Sequence, residues 1–354
     1  MEDEQREFLE GLLETASPSG YETPSQRVWV DYVSAFADDV SVDEYGNAVA
    51  VHEGDPGTDV AVALAGHGDE IGFVVRRVTE EGYLKLGRVG GSDKTVSRGQ
   101  HVTVHTGDGP VHGVVGQTAI HLRDGEEDVP DVAEQYVDVG AADGDEAREL
   151  VERGDPVTFA QRVRDLEGGR IAARGMDNRV GIWAAAEGLR RAVGAGADAT
   201  VYAVSTVQEE VGLKGAQMVG FDLDPDAVVA TDVTHATDSP SVPSGAETGL
   251  ELGDGPVVSR GSSNHPAVVK AVRDVATDRD LDVQLQAAGI RTGTDADAFY
   301  TARGGTPSLN VGIPNRYMHT PVEVVDLDDL DAVATLLGRF GARAEAFAPF
   351  AVEV

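Results

Sequence analysis

The chain contains no cysteine, only four lysines and few aromatic residues, and each shortage closes a class of explanation. Without cysteine there are no disulfides, no thiolate metal ligands and no cysteine nucleophile. Any metal must be held by His, Asp and Glu. Positive charge of any kind is scarce: 28 Lys and Arg face 62 Asp and Glu, a formal net charge of −34. Nucleic acid and anionic membrane surfaces repel such a chain, which argues against both as partners. Long hydrophobic runs are missing as well. The apolar run Val60 to Ala65 is far shorter than the ~20 residues of a membrane helix. The opening Met1-Glu2-Asp3-Glu4 lacks the basic and then apolar order of a signal peptide. Together these features predict a soluble, cytoplasmic protein.

What is present is enough for a packed core. Hydrophobic residues make up 41% of the chain. At roughly 150 residues per domain, 354 residues predict about two domains. Lysine occurs only at Lys85, Lys94, Lys214 and Lys270; every other basic residue is arginine. A carboxylate-rich, lysine-poor balance fits a halophilic protein working in molar salt, where screening removes the self-repulsion of the excess charge.

Residues 3–15 place Phe8, Leu9, Leu12 and Leu13 at helical spacing, and a second helix is expected from Pro24 to about Ala37. Residues 40–53 alternate around Tyr45-Gly46-Asn47, a hairpin pattern. Val60 to Ala65 is apolar on both faces, as in a strand inside a parallel or mixed sheet covered by helices. The pattern recurs at 200–204, 227–230 and 309–313, with helical periodicity between, at 178–192 and 264–278. Strand and helix in alternation indicate an α/β fold. Residues 73–165 differ: they are rich in Val, Gly and Thr, with short alternating runs and little helical periodicity before 143–152. They read as a small β domain inserted into a discontinuous α/β domain made of residues 1–72 and 166–354.

Polar clusters follow the apolar strands, where ligands bind in open α/β sheets. His67 and Asp69 follow the first, Glu209 and Glu210 the second, Asp232 the third and His319 the fourth. Asp177 stands just before a helix start. Each has a plain alternative: His67 and Asp69 as a turn pair, Glu209 and Glu210 as a solvated acidic pair, Asp232 and Asp177 as helix caps, His319 as a surface histidine. Their convergence on one sheet edge is what needs explaining. Carboxylates brought together repel and lose solvation unless a cation compensates them. Two His with several Asp and Glu suit zinc, cobalt or manganese. Two metals roughly 3.5–4 Å apart, bridged by one carboxylate, account for the ligand number. Asp69 is placed to orient the His67 imidazole. Of the adjacent glutamates, expected to point to opposite sides of an extended segment, one binds metal and the other serves as general base. His101, His105, His112 and His121, in the inserted β segment, read as surface or interface residues, and His235 as structural.

Six ordered motifs make the sequence recognisable: His67-Gly-Asp-Glu-Ile-Gly72, Gly175-Met-Asp-Asn-Arg179, Gln208-Glu-Glu-Val-Gly-Leu213, Asp232-Val-Thr-His-Ala236, Gly293-Thr-Asp-Ala296 and Arg316-Tyr-Met-His319. From about residue 5 to about 345 the chain resembles the tetrahedral (TET) aminopeptidases, dinuclear-zinc metallopeptidases of which some members have been labelled endoglucanases. The resemblance implies His67 as a ligand of one metal with Asp69 in support, Asp177 as the bridge, followed by Asn178 through a cis peptide, and Glu209 as general base. It implies Glu210 as a ligand of one metal, with Asp232 and His319 completing the two sites. It further implies that the insert is a dimerisation domain and that six dimers build a hollow dodecamer. The activity implied is removal of N-terminal residues from peptides by a metal-activated water; a deacylase or carboxypeptidase on the same fold is the alternative. Apart from the resemblance, neutral or hydrophobic first residues, or a broad range, are expected. The pattern departs at Met176-Asp177-Asn178, where many relatives have Leu-Asp-Asp; at 116–121, which lacks a Pro-Pro before His121; and at Arg291, where relatives carry smaller residues.

Overall fold

The computed structural model describes residues 1–123, 125, 128–278 and 280–352. Helices α1 (Asp3–Glu14) and α2 (Thr23–Val33) open the chain, followed by the hairpin β1 (Asp39–Val42) and β2 (Ala48–His52) and then β3 (Ala61–His67). The second helix stops four residues short of the expected Ala37; residues after Val33 form a turn that delivers the chain to β1. Six strands follow: β4 (Gly72–Val78), β5 (Tyr83–Val89), β6 (His101–Thr106), β7 (Gly109–Val115), β8 (Tyr136–Asp138) and β9 (Pro156–Phe159). They close into a barrel in the order β4-β5-β8-β7-β6-β9. A helical turn, α3 (Lys94–Ser97), and a short helix, α4 (Gly144–Leu150), interrupt them. The barrel has its own core, which includes Phe73, Leu84, Leu86, Val104 and Phe159. Phe73 and Phe159 meet edge to face at 5.3 Å between ring centroids, a favourable aromatic geometry.

The chain then runs through β10 (Arg164–Asp165), β11 (Arg170–Ala173), α5 (Met176–Gly194), β12 (Thr200–Thr206), α6 (Lys214–Asp222) and β13 (Ala227–His235). It finishes with β14 (Val257–Arg260), α7 (Pro266–Thr277), β15 (Gln284–Ala287), α8 (Asp295–Thr301), β16 (Ser308–Asn315), β17 (Glu323–Asp326) and α9 (Leu327–Ala342). Eight strands form a mixed sheet in the order β1-β2-β12-β3-β13-β16-β14-β15. β12, β3, β13 and β16 run parallel at its centre. Their uninterrupted apolar sequences are what a strand buried on both faces requires. Strand β10 pairs with β11, and β11 with β17, so Arg164 and Asp165 belong to a small sheet on the α/β side rather than to the barrel.

Helix α5 packs across the sheet with almost every residue buried. Its approach depends on two glycines: a side chain at Gly66 of β3 would place its Cβ 2.6 Å from the backbone of Gly181. That close contact sets the first turn of α5 beside the carboxyl end of β3. Among the described residues, no helix is long and apolar enough to cross a membrane.

Candidate metal centre

The parallel pairing puts the carboxyl ends of β3 and β12 side by side, with Thr206 opposite His67. β13 continues past its neighbour β3, so Asp232 stands beside the same edge. The buried His67 ends β3, with its Nε2 3.2 Å from Asp177 Oδ1, 3.6 Å from Asp232 Oδ1 and 3.8 Å from Glu209 Oε2. His319 Nε2 lies 3.1 Å from Asp177 Oδ2 and 3.4 Å from Glu210 Oε1. The side chains therefore form two facing groups, His67 with Glu209 and Asp232, and His319 with Asp177 and Glu210. Asp177 faces both imidazoles, one through each carboxylate oxygen.

Three local features depart from the sequence reading. Asp177 is not a helix cap: Gly175 occupies that position, and Asp177 and Asn178 have non-helical dihedrals within the first turn of α5, joined by a cis peptide bond. Asp232 is no cap either; it sits within β13, its Oδ1 accepting the N–H of Val233 at 2.8 Å. Glu209 and Glu210 do not lie in an extended segment. β12 ends at Thr206, and Gln208 turns the chain with φ 57°. The turn still sends the two carboxylates to different groups.

Asp69 holds that turn. Its Oδ1 accepts the N–H of Glu209 at 2.9 Å; its Oδ2 accepts the N–H of Glu210 at 3.2 Å and the hydroxyl of Ser19 at 2.7 Å. The same carboxylate lies 3.3 Å from His67 Nδ1, so one buried aspartate aligns an imidazole and both glutamates. Although burial raises its pKa, contacts with His67, Ser19 and Glu209 hold Asp69 below the usual aspartate range.

Several residues not foreseen from the sequence complete the arrangement. Buried Glu323 accepts the N–H of Asp177 at 3.2 Å and the N–H of His319 at 2.8 Å, tying the two together. The only hint is its spacing four residues after His319, which in an acid-rich chain is no signal. Glu70 pairs with buried Arg174 and Arg179 behind the Asp177 turn. Burial opposes the Glu70 charge, but the two guanidiniums outweigh it and bring its pKa down to about 2. The barrel contributes as well: a Cβ at Gly91, in the loop after β5, would come within 2.4 Å of His319 Nδ1.

Electrostatics decide what the cluster requires. Burial, reinforced by Asp232, Asp295 and Glu210 against the pull of His67, pushes Glu209 up to about 10. Burial and Asp177 push Glu210 up to about 7, and Asp232 is raised as well. Both imidazoles are pulled the other way. Burial opposes the charge on His67, but Glu209 and Asp232 outweigh it and lift its pKa well above the ordinary value; His319, paired with Asp177 and Glu210, rises to about 11. Glu210 Oε1 is buried and, although His319 Nε2 lies 3.4 Å away, makes no aligned hydrogen bond among the described residues. Carboxylates held this closely without enough positive charge are the signature of a cation site. An all-oxygen and imidazole donor set with no sulfur fits zinc, cobalt or manganese.

The cluster opens into a cavity of about 370 Å³. Its far wall comes from the end of β15 and the loop before α8, with the small, uncharged residues Ala287, Ala288, Thr292 and Thr294 and the exposed Arg291. His235 lies exposed at its edge. Asp295, quoted in a motif without a role, is buried beside the cluster and accepts the Thr206 hydroxyl at 2.5 Å.

Residues 46–336 match the family model described as M42 glutamyl aminopeptidase. A lysyl aminopeptidase of Pyrococcus furiosus is 34% identical over 330 residues, covering 92% of this chain and 93% of that protein. The crystal structure of a TET aminopeptidase from a marine sediment archaeon, Thaumarchaeota archaeon SCGC AB-539-E09, superposes with a TM-score of 0.91 at 31% identity, covering 99% of this chain and 100% of that one. The TET1 peptidase of Pyrococcus horikoshii, described as assembling into a tetrahedron or a large octahedral shell, superposes with a TM-score of 0.83 at 30% identity, over 95% of this chain and 99% of that one.

Proposed function

The chain belongs to the M42 glutamyl aminopeptidase family, a family of metal-dependent peptidases, and from that premise we propose that it removes N-terminal residues from peptides with two divalent ions, zinc or cobalt, per subunit. The observation that carries this reading is Asp177, whose two oxygens face His67 and His319 from between the two groups. Asp177 would hold both ions, with His67 and Asp232 holding one and Glu210 and His319 the other. Such a metal pair, when bound, polarises the scissile carbonyl and lowers the pKa of water.

The chain's own residues do the rest. Glu209, ionised once bound cations offset the carboxylates around it, takes the proton of the attacking water and passes it to the leaving amine. Asp69 fixes where Glu209 and Glu210 point. The carboxylate wall around the groups favours a free, positively charged N-terminal amine, which selects an exopeptidase. Ala287, Ala288, Thr292 and Thr294 on the cavity wall support neutral first residues, with the exposed Arg291 beside them on the same wall. We assign the barrel, expected over residues 73–165, as the dimerisation domain, with dimers building a tetrahedral dodecamer; the assembly named for the TET1 relative supports this.

The test is release of the fluorophore from leucyl-aminomethylcoumarin beside its N-acetylated analogue. Release from the free-amine substrate alone is expected. Fluorophore release from the acetylated substrate would show that no free amine is needed and overturn the aminopeptidase reading; its conversion to acetate and leucyl-aminomethylcoumarin, with the fluorophore retained, would transfer the site to a deacylase.

A further inference from the structure

We propose that this chain carries an oxyanion-binding site, separate from the metal centre, for the phosphate or carboxylate group of a small molecule. The site is a cavity of about 660 Å³ between the end of β14 and the face of α7 that runs from Pro266 to Thr277, with Tyr300 of α8 on its wall. Its lining includes Arg260, Lys270 and Arg273, in a chain where acids outnumber bases by 62 to 28. Lys270 is paired with Asp274. Arg260 and Arg273 have no carboxylate within ion-pair distance among the described residues. Two guanidiniums that line one cavity with no carboxylate partner among the described residues are the reverse of what the overall charge of the chain predicts. Their planar forks are suited to two-oxygen recognition of phosphate or carboxylate.

Two further observations point to a ligand. Asn264 lines the cavity and is only 4% exposed; its Oδ1 accepts the N–H of Asn310 at 2.8 Å, while its buried Nδ2 donates to nothing among the described residues. Beside it, His265 also lines the cavity with a buried, unpartnered Nδ1. A buried donor left unpaired costs free energy, and an oxyanion in the cavity would satisfy it. His265 is also the residue that precedes the first turn of α7, a 12-residue helix whose dipole adds to the positive field, although Pro266 at its first position has no N–H to offer. The site neighbours the catalytic cavity: Ser259 and Asn310 line that one, while the adjacent Arg260 and the bonded Asn264 line this one.

Calorimetric titration of the metal-loaded protein with inorganic phosphate and, separately, with glutarate, at constant ionic strength, tests the proposal. Saturable binding of either anion is expected, phosphate alone assigning a phosphate group and glutarate alone a carboxylate. In R260Q/R273Q that binding should weaken at least tenfold while turnover of the leucyl substrate stays unchanged. R273Q alone should lose an intermediate amount, which keeps the test readable if the double variant folds poorly. Failure of both anions to bind, or equal binding by wild type and variants, overturns the proposal; equal binding would place the anion at the metal centre instead. Neither result bears on the peptidase reading, which has its own substrate.

Discussion

Glu209 and Glu210 are neighbours in sequence with different tasks, and the division is made by one backbone turn. The positive φ of Gln208 and the two N–H bonds to Asp69 send Glu209 toward His67 and Asp232, and Glu210 toward His319. In our reading Glu210 holds a metal while Glu209 moves a proton. Glu209→Gln keeps the shape and removes the base. We expect metal content to remain near that of wild type while kcat falls roughly 10²–10⁴-fold, the usual worth of a positioned general base. Steady-state rates beside elemental analysis of the same preparation measure both, and near-normal kcat would remove Glu209 from proton transfer.

At the scale of elements, the site is built by strand ends, one helix start and one barrel loop. The strand ends were legible in the sequence because buried parallel strands are apolar on both faces, and a polar cluster after such a run stands out. His67 and Asp232 were found that way. Glu323 was not, because it lies in Val322-Glu-Val-Val325, which reads as an ordinary alternating strand, and its burial depends on β11 and the His319 turn packing around it. Gly90 and Gly91 were illegible for a similar reason: a glycine pair in a loop says nothing until the barrel is set against the α/β sheet. Once it is, a Cβ at Gly90 would crowd Glu210 and one at Gly91 would crowd His319. Gly91→Ala should therefore push His319 aside. We expect metal affinity to drop 10–100-fold, the range seen when a partner that orients a ligand is lost, with the far-UV circular dichroism unchanged. Unaltered metal affinity would mean the barrel loop does not fix His319.

Across the whole molecule the dominant quantity is a net charge of −34 carried almost without lysine. Self-repulsion of that size weakens a compact state and falls as salt screens it; at molar salt the screening length is about 3 Å. We expect a melting temperature that climbs steeply between low and molar KCl, with unfolding or dissociation below roughly 0.5 M. A melting temperature independent of salt would contradict the halophilic reading. The centre, by contrast, is shielded from that surface, and its need for cations is local: buried carboxylates around two imidazoles. The measurement that bears on this most directly is a metal titration of chelated, metal-free protein in molar KCl, following bound zinc or cobalt and hydrolysis of leucyl-aminomethylcoumarin in the same samples. The account predicts no turnover without metal and full activity regained as two ions bind per chain; undiminished peptidase activity in the metal-free protein would contradict it.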